Sequence, residues 1–267
     1  MNSLYNSHSF VVLAYRESPY LEKCIQSVLH QSVKSHVVIA TSTPNAYIQK
    51  YAEKYGLEII INPQAGGGIG CDFDFARKCV RTVLVTVAHQ DDIYDFRYAE
   101  SMLVNYKKYN DALILFTDYY EIRNKKEIYS NINLRIKRLL LSALKSKKRA
   151  KANWRKRAAL AFGNPICCPA VTFVNGNINQ DEIFPHSLMC NVDWKAWEIL
   201  SKKKGRFVYI REKLMGHRVH EGSTTTEIIH DNLRTNEDYA VLKCFWPDLI
   251  AKLIARVYSL SEKSNSN

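Results

Sequence analysis

Two aspartates, Asp91 and Asp92, stand side by side in the stretch VTVAHQDDIY, directly after an apolar, β-branched run. Adjacent carboxylates repel each other and are seldom buried without a compensating cation. Their oxygen ligands suit a hard divalent ion, Mg²⁺ or Mn²⁺, of the kind that also bridges phosphate oxygens. Far downstream, in GHRVHEGSTT, His217 and His220 flank Arg218. One of these histidines could complete a metal shell, and Arg218 could meet a phosphate charge. Asp193, in NVDWKAWEI, stands where a helix should begin. An acidic residue there ordinarily caps the helix or complements its N-terminal partial charge, and general-base chemistry is the alternative. The stretch QAGGGIG lacks the Gly-Lys-Ser/Thr ending of a phosphate loop. It also misses the Gly-x-Gly-x-x-Gly spacing, because Cys71 stands where the third glycine belongs. It reads as a flexible loop ahead of a helix.

The elements that must position these residues alternate. SFVVLAY reads as a strand, followed by a helix started by Ser18-Pro19 with Leu21, Cys24, Ile25, Val28 and Leu29 on one face. HVVIA, LEIII, TVLVTVA and DALILFTD read as further strands, separated by helical segments, one of them closed by Gly56. Such alternation predicts an α/β domain with a mainly parallel sheet and flanking helices, whose ligand lies beyond the carboxyl ends of the strands. Tyr15–Glu17, Thr41–Thr43 and His89–Asp92 all fall at such ends. After about residue 120 the pattern changes. PAVTFVN reads as a strand, VDWKAWEILSKKKG as a helix, and RFVYI and LMGHRVH as two short strands. Ile228 to Leu260 reads as one or two closing helices.

Charge is concentrated in one place. The chain carries a net charge of +12, and eleven Lys and Arg lie between Arg135 and Arg157. No Asp or Glu occurs between Glu127 and Asp181, and outside that basic segment 27 cationic residues face 26 acidic ones. Such a segment attracts polyanions. With Leu139, Leu140, Leu141 and Leu144 on its apolar side, it predicts contact with an anionic membrane. Nucleic acid is not expected, because the near-neutral remainder offers no extended basic face. The seven cysteines form no paired CxxC units and read as free thiols of a reducing, cytoplasmic setting. The opening MNSLYNSHSF has no signal-peptide core, and no apolar run approaches the ~20 residues that cross a bilayer.

Taken in order, SFVVLAYRESPYLEKCIQSVLHQS, VTVAHQDDIY, VDWKAW and GRFVYIREKLMGHRVHEGSTT resemble the ordered motifs of the family-2 glycosyltransferases. The resemblance spans roughly residues 8 to 226 and implies the GT-A fold, a Rossmann-like sheet with flanking helices. Two departures stand out. His89 replaces the first aspartate of the family's metal motif, and IATSTPN offers hydroxyls where an aspartate usually reads the base. Carried over residue by residue, the resemblance places Tyr15 and Glu17 against the nucleotide base and ribose, with Asp72 and Asp74 as further candidates for that pocket. It places Asp91 on the ribose or sugar, Asp92 on the divalent cation, His220 on the cation or diphosphate, and Arg218 among the donor-binding residues. It makes Asp193 the base that deprotonates the acceptor hydroxyl.

The expectation is therefore an inverting, metal-dependent enzyme. It would move a sugar from a nucleotide-diphosphate sugar, read as UDP-linked, to a glycan or lipid-linked acceptor of bacterial polysaccharide synthesis. The setting would be the cytoplasm or the inner face of its membrane. Residues 1–118 would bind the donor, 119–227 the acceptor, and 228–267 would close the single domain with helices. The rival reading is a non-catalytic α/β module that binds anionic membrane or nucleic acid through residues 135–157. A nucleotidyltransferase would share the carboxylates and the metal but would leave Asp193 and the histidine segment unused.

Overall fold

β1 (His8–Ala14) alternates its side chains across the middle of a parallel block, sending Val11 to one core layer and Phe10 and Val12 to the other. This computed structural model describes residues 7–64, 66–220 and 233–265, with side chains as far as residue 256. β2 (His36–Thr41) and β4 (Leu84–His89) pair with β1 in parallel, and β3 (Glu58–Ile61) extends the block beyond β2. The helices of this half are α1 (Leu21–Leu29), α2 (Ala46–Tyr55), α3 (Gly68–Lys78) and α4 (Tyr98–Lys108). α2 shows how local sequence sets the ends. The Asn45 side chain accepts the Ile48 N–H at the start, and Gly56 takes a left-handed φ of 63° at the finish.

Beyond β4 the sheet becomes mixed. β8 (Val171–Val174) runs against both β4 and β6 (Ala112–Arg123), so β6 points the same way as β4. β9 (Arg206–Arg218) pairs parallel with β6, β5 (Ile93–Tyr94) lies against β9, and β7 (Lys126–Ile128) forms a short hairpin with β6. The order along the sheet is β3-β2-β1-β4-β8-β6-β9-β5. α5 (Ile132–Leu140), a 3-10 turn at Leu141–Leu144, α6 (Asn153–Leu160), α7 (Asn175–Ile178) and α8 (Val192–Ser201) follow, and α9 (Leu233–Leu242) and α10 (Asp248–Asn265) close the chain. Trp194, Trp197, Phe173 and Phe184 fill one core layer, and Tyr94, Tyr98 and Phe10 the other. Each such side chain contributes about 1.5–3 kcal/mol on burial.

Several expectations change in detail. α1 begins at Leu21, because Ser18 instead folds back to accept the Tyr20 N–H, and Leu29 is exposed while Leu21, Cys24, Ile25 and Val28 are buried. RFVYI and LMGHRVH are one strand, not two. The exposed Arg211, Glu212 and Lys213 interrupt its apolar pattern where its register with β6 shifts. The closing region divides into two helices, and the segment 221–232 lies outside the described residues. The glycine loop serves packing: a Cβ on Gly70 would sit 2.6 Å from the Pro185 carbonyl oxygen.

The basic segment is the largest revision. Leu141 and Leu144 are core residues, not an apolar surface. Six of the eleven cations have protein partners: Lys137 on the Tyr119 hydroxyl, Arg138 on Asp118, Lys147 on Asn105, Arg155 on the Ala143 carbonyl, Lys156 on the Lys203 and Gly205 carbonyls, and Arg157 on Glu198. These contacts tie the segment to β6, α4, α8 and the turn before β9. No described helix is long and apolar enough to cross a membrane.

Candidate active site

Because β1, β2 and β4 are parallel, their carboxyl ends lie along one edge, and the loops that follow them meet there. The segment after β1 is pinned to the segment after β4. The Gln90 side chain accepts the Tyr15 N–H and donates to the Tyr15 carbonyl, both at 3.0 Å. The Arg16 N–H donates to Thr43 Oγ1 at 2.7 Å, and Asn45 Nδ2 reaches the Arg16 carbonyl. Arg16 adopts a φ of 55° to make that turn. These bonds leave the side chains of Tyr15 and Glu17 exposed at this edge of the sheet. The hydroxyls that replace the usual aspartate at the end of β2 thus shape the loop: Thr43 holds Arg16, and Ser42 donates to Asp72 at 2.9 Å.

Asp72 and Asp74 part company. Asp72, half-buried, accepts from Ser42 and Asn62 at this same edge. Asp74 is buried on the other side of α3. It pairs with Arg77 at 3.2 Å and accepts the N–H groups of Ile183 and Phe184. Its oxygens tie α3 to the segment before α8, so Asp74 is a structural anchor and not part of the pocket expected for it.

The aspartate pair meets the end of β9. Asp92 is buried, and its Oδ1 accepts the Arg218 N–H at 2.8 Å and faces His217 Nδ1 at 3.1 Å. Its Oδ2 is buried and has no hydrogen-bond partner. Burial pulls the Asp92 carboxyl up, but His217, His89 and the Arg218 N–H together outweigh it and hold it below its ordinary value. The same pairing, against burial, raises His217 above its ordinary value. Asp91 is half-buried. Its Oδ1 accepts from the Ser18 hydroxyl at 2.5 Å, and its Oδ2 lies 3.3 Å from His220 Nε2. Arg218 Nε donates to the Asp91 carbonyl, and its guanidinium lies 4.3 Å from the centre of the Tyr20 ring. The two histidines therefore divide between the two carboxylates: His217 takes Asp92, and His220 takes Asp91. His89, in the place of a carboxylate, stacks on Phe73 at 5.0 Å, and burial lowers its pKa.

Asp193 enters from the other half. It occupies the first turn of α8, where its Oδ1 accepts the Trp194 N–H and its Oδ2 accepts from Asn164 Nδ2, both at 2.7 Å. The helix-end role is thus real, and Asn191, the capping position, is occupied elsewhere with Asp238. Burial raises the Asp193 carboxyl above its ordinary value, with Asn164, the Trp194 N–H and Lys137 opposing. A carboxylate with raised proton affinity is suited to accept a proton. Cys167 precedes the short turn that leads into β8. Burial first, then the charges of Asp92, Asp193 and Glu121, push its thiol far up.

Lys137 is the residue that sequence reading missed. It projects from α5 to donate to the Tyr119 hydroxyl at 2.8 Å, and its charge is felt at both Asp193 and His217. A run of eleven cations gives no signal of which one turns inward; only its spacing of three from the buried Leu134 hints at it. Asn164 was likewise hidden in a Gly-Asn-Pro that reads as a turn. Among the described residues, no group of three or more His, Cys, Asp or Glu is gathered as a metal cage. Two hollows in the described surface, one lined by Asp111, Lys151 and Gly205 and one by Arg77, Asn175 and Asp181, contain none of the expected site residues.

The family model described as glycosyl transferase family 2 matches residues 9–173. Among solved structures, the Staphylococcus aureus protein TarS, residues 1–349 in complex with UDP-GlcNAc, shares the fold with a TM-score of 0.66 at 13% identity, over 93% of this chain and 70% of that one. The mannosyltransferase PcManGT of Pyrobaculum calidifontis, in complex with GDP-Man and Mn²⁺, superposes with a TM-score of 0.59 at 11% identity, over 97% of this chain and 75% of that one. Comparison with curated protein sequences finds no match. The mixed sheet with its flanking helices is the GT-A arrangement of these neighbours.

Proposed function

The chain belongs to glycosyl transferase family 2, and from that premise we propose an inverting transfer of a sugar from a UDP-sugar to a hydroxyl of a glycan or lipid-linked acceptor. Bacterial surface-polysaccharide synthesis at the cytoplasmic face of the membrane is the setting we infer. In this reading residues 1–118 hold the donor, 119–227 the acceptor, and 228–267 close the domain. Tyr15, Glu17 and Asp72 line the base and ribose side, Asp91 takes the ribose or sugar, and Arg218 meets the diphosphate. The observation that carries the reading is the cluster of Asp92, His217 and Arg218, where the ends of β4 and β9 meet around a buried carboxylate oxygen without a partner.

That orphan oxygen fits a divalent cation. Mg²⁺ and Mn²⁺ in nucleotide sites are commonly held by one or two carboxylates, with substrate phosphates and water completing the shell, so a full protein cage is not needed. Asp92 and His220 would hold it, and it would supply neutralisation of the charge that gathers on the departing diphosphate. The chain's own residues do the rest. Arg218 adds positive charge at the diphosphate, Asp193 removes the acceptor proton, and Lys137 steadies the ionised form of Asp193 between turnovers. The inward partners of the basic segment weaken the rival non-catalytic reading, since six of its eleven cations are engaged within the fold and so need no external polyanion to account for them.

Donor identity is tested by thermal unfolding against UDP-, GDP- and dTDP-sugars, each with and without Mn²⁺. A ligand that binds only the folded chain raises its apparent stability. The expected result is stabilisation by UDP-sugar that grows with Mn²⁺. No stabilisation by any nucleotide sugar would overturn the reading.

A further inference from the structure

α5 is amphipathic in the wrong direction for a water-facing helix. Its inner face is set by Leu134, Lys137 and Arg138, which bury or bond against β6. Its outer face carries Ile132, Ile136 and Leu139, at helical spacings of four and three, and these are 75%, 50% and 70% exposed. Such a stripe is ordinarily what a surface helix buries. The cations without inward partners gather on the same stretch of chain: Arg135, Lys145, Lys148, Arg149 and Lys151 are all exposed. Trp154 is also exposed, with the Arg155 guanidinium 4.5 Å from its ring centre.

We propose that this surface docks on an anionic lipid bilayer, with Ile132, Ile136 and Leu139 entering the boundary between head groups and acyl chains. The five cations then meet lipid phosphates, and Trp154 sits at the interface where its ring is wet on one edge. Charge complementarity selects this occupant. No acidic residue lies between Glu127 and Asp181, so a second copy of this chain docked face to face would oppose like charges. The placement also has a use, which rests on the glycosyltransferase reading. α5 carries Lys137 on its other face, in the site, so only the thickness of one helix, about 10–12 Å, separates the bilayer from the acceptor side. A lipid-linked acceptor would reach Asp193 along the membrane plane.

The test is vesicle co-sedimentation of the full chain with phosphatidylglycerol–phosphatidylcholine vesicles and with pure phosphatidylcholine, at low and high salt. Parental protein should pellet with the anionic vesicles, and salt should release it. Two variants, Ile136→Ser with Leu139→Ser and Lys148→Glu with Arg149→Glu, should each bind at least tenfold more weakly. A head-group-facing cation strengthens binding about fivefold. Their side chains point outward, so unfolding temperature and nucleotide-sugar stabilisation should match the parent. Equal pelleting with both vesicle types, or parental binding by either variant, overturns the proposal. So does a lipid-free dimer in sedimentation velocity that Ile136→Ser with Leu139→Ser dissolves, because the stripe is then a self-interface. A chain that binds anionic vesicles but no nucleotide sugar sinks the transferase reading and leaves the surface standing; the opposite pair of results sinks the surface alone.

Discussion

Replacing Asp193 with asparagine should abolish transfer and leave the fold intact, and the structure says why both halves hold. Asparagine keeps the oxygen that accepts the Trp194 N–H. Its new amide nitrogen would face Asn164 Nδ2, donor against donor. Asn164 Oδ1, however, is buried with no partner, so turning that amide over re-forms the bond with reversed polarity. The charge argument points the same way. Burial makes the folded Asp193 carboxyl hold its proton more tightly than the unfolded one, so its stabilising contribution is present in acid and is lost as pH rises through the raised value. At neutral pH the carboxylate therefore costs stability that asparagine does not. The unfolding temperature of Asp193→Asn at pH 7 should equal or exceed the parent's, and the difference should vanish in acid. Turnover should fall on the order of 10²–10⁴-fold, about 3–5.5 kcal/mol of barrier. Product formation by mass spectrometry, beside donor affinity by calorimetry, reads both quantities. A folded variant that keeps more than about a tenth of parental turnover, well short of a base effect, would reduce Asp193 to its helix-end role.

Asp92→Ala should weaken donor binding, as chelator does, while Asp193→Asn leaves it unchanged; calorimetry with UDP-sugar and excess Mn²⁺ that finds parental affinity in Asp92→Ala removes the ligand assignment. Lys137→Met takes away a charge that lowers the Asp193 pKa, so the acid limb of the pH–rate profile should move to higher pH, and an unmoved limb refutes the coupling. His8 is buried between Ser35 and Thr86, and burial lowers its pKa from 6.5 to about 3. The unfolded chain then takes up the proton first, and stability drains as pH falls from 6.5 towards 3, by at most about 5 kcal/mol. In His8→Gln that acid loss should shrink, and acid titrations of parent and variant that run parallel would contradict it.

Much of the first half of the chain was legible in the sequence because it is built from local signals. Asn45 and Gly56 mark the ends of α2, and the apolar run ending at His89 places Asp91 and Asp92 at a strand tip. The second half was harder, for reasons visible in particular residues. β9 carries three exposed charged residues, Arg211, Glu212 and Lys213, where its pairing slips, and a polar run inside a strand looks like a turn. Asp74 and Asp72 lie two apart on one helix, so they point in different directions, and residue type alone cannot say which faces the sheet edge at Ser42. His217 and His220 were both candidates. Only the register that sets Glu121 opposite His217 decides that His217 reaches Asp92.

The reversal of β8 in the middle of the sheet has a consequence for the order in which the protein can assemble. β8 seats itself between β4 and β6, with Leu84 opposite Val174 and Ile114 opposite Phe173, partners separated by as much as about 90 residues of chain. Until Val174 has left the ribosome, the inner flank of β4 has no neighbour, and β6 has none on the side β8 will take. Closure must wait for a four-residue strand arriving late from far away, an ordering that slows folding because loop entropy is lost before any ladder forms. A nascent chain stopped after β6 carries an open, apolar edge, the kind of surface that recruits other chains. The two halves therefore close into one sheet, and neither can be released from the other as a separate body.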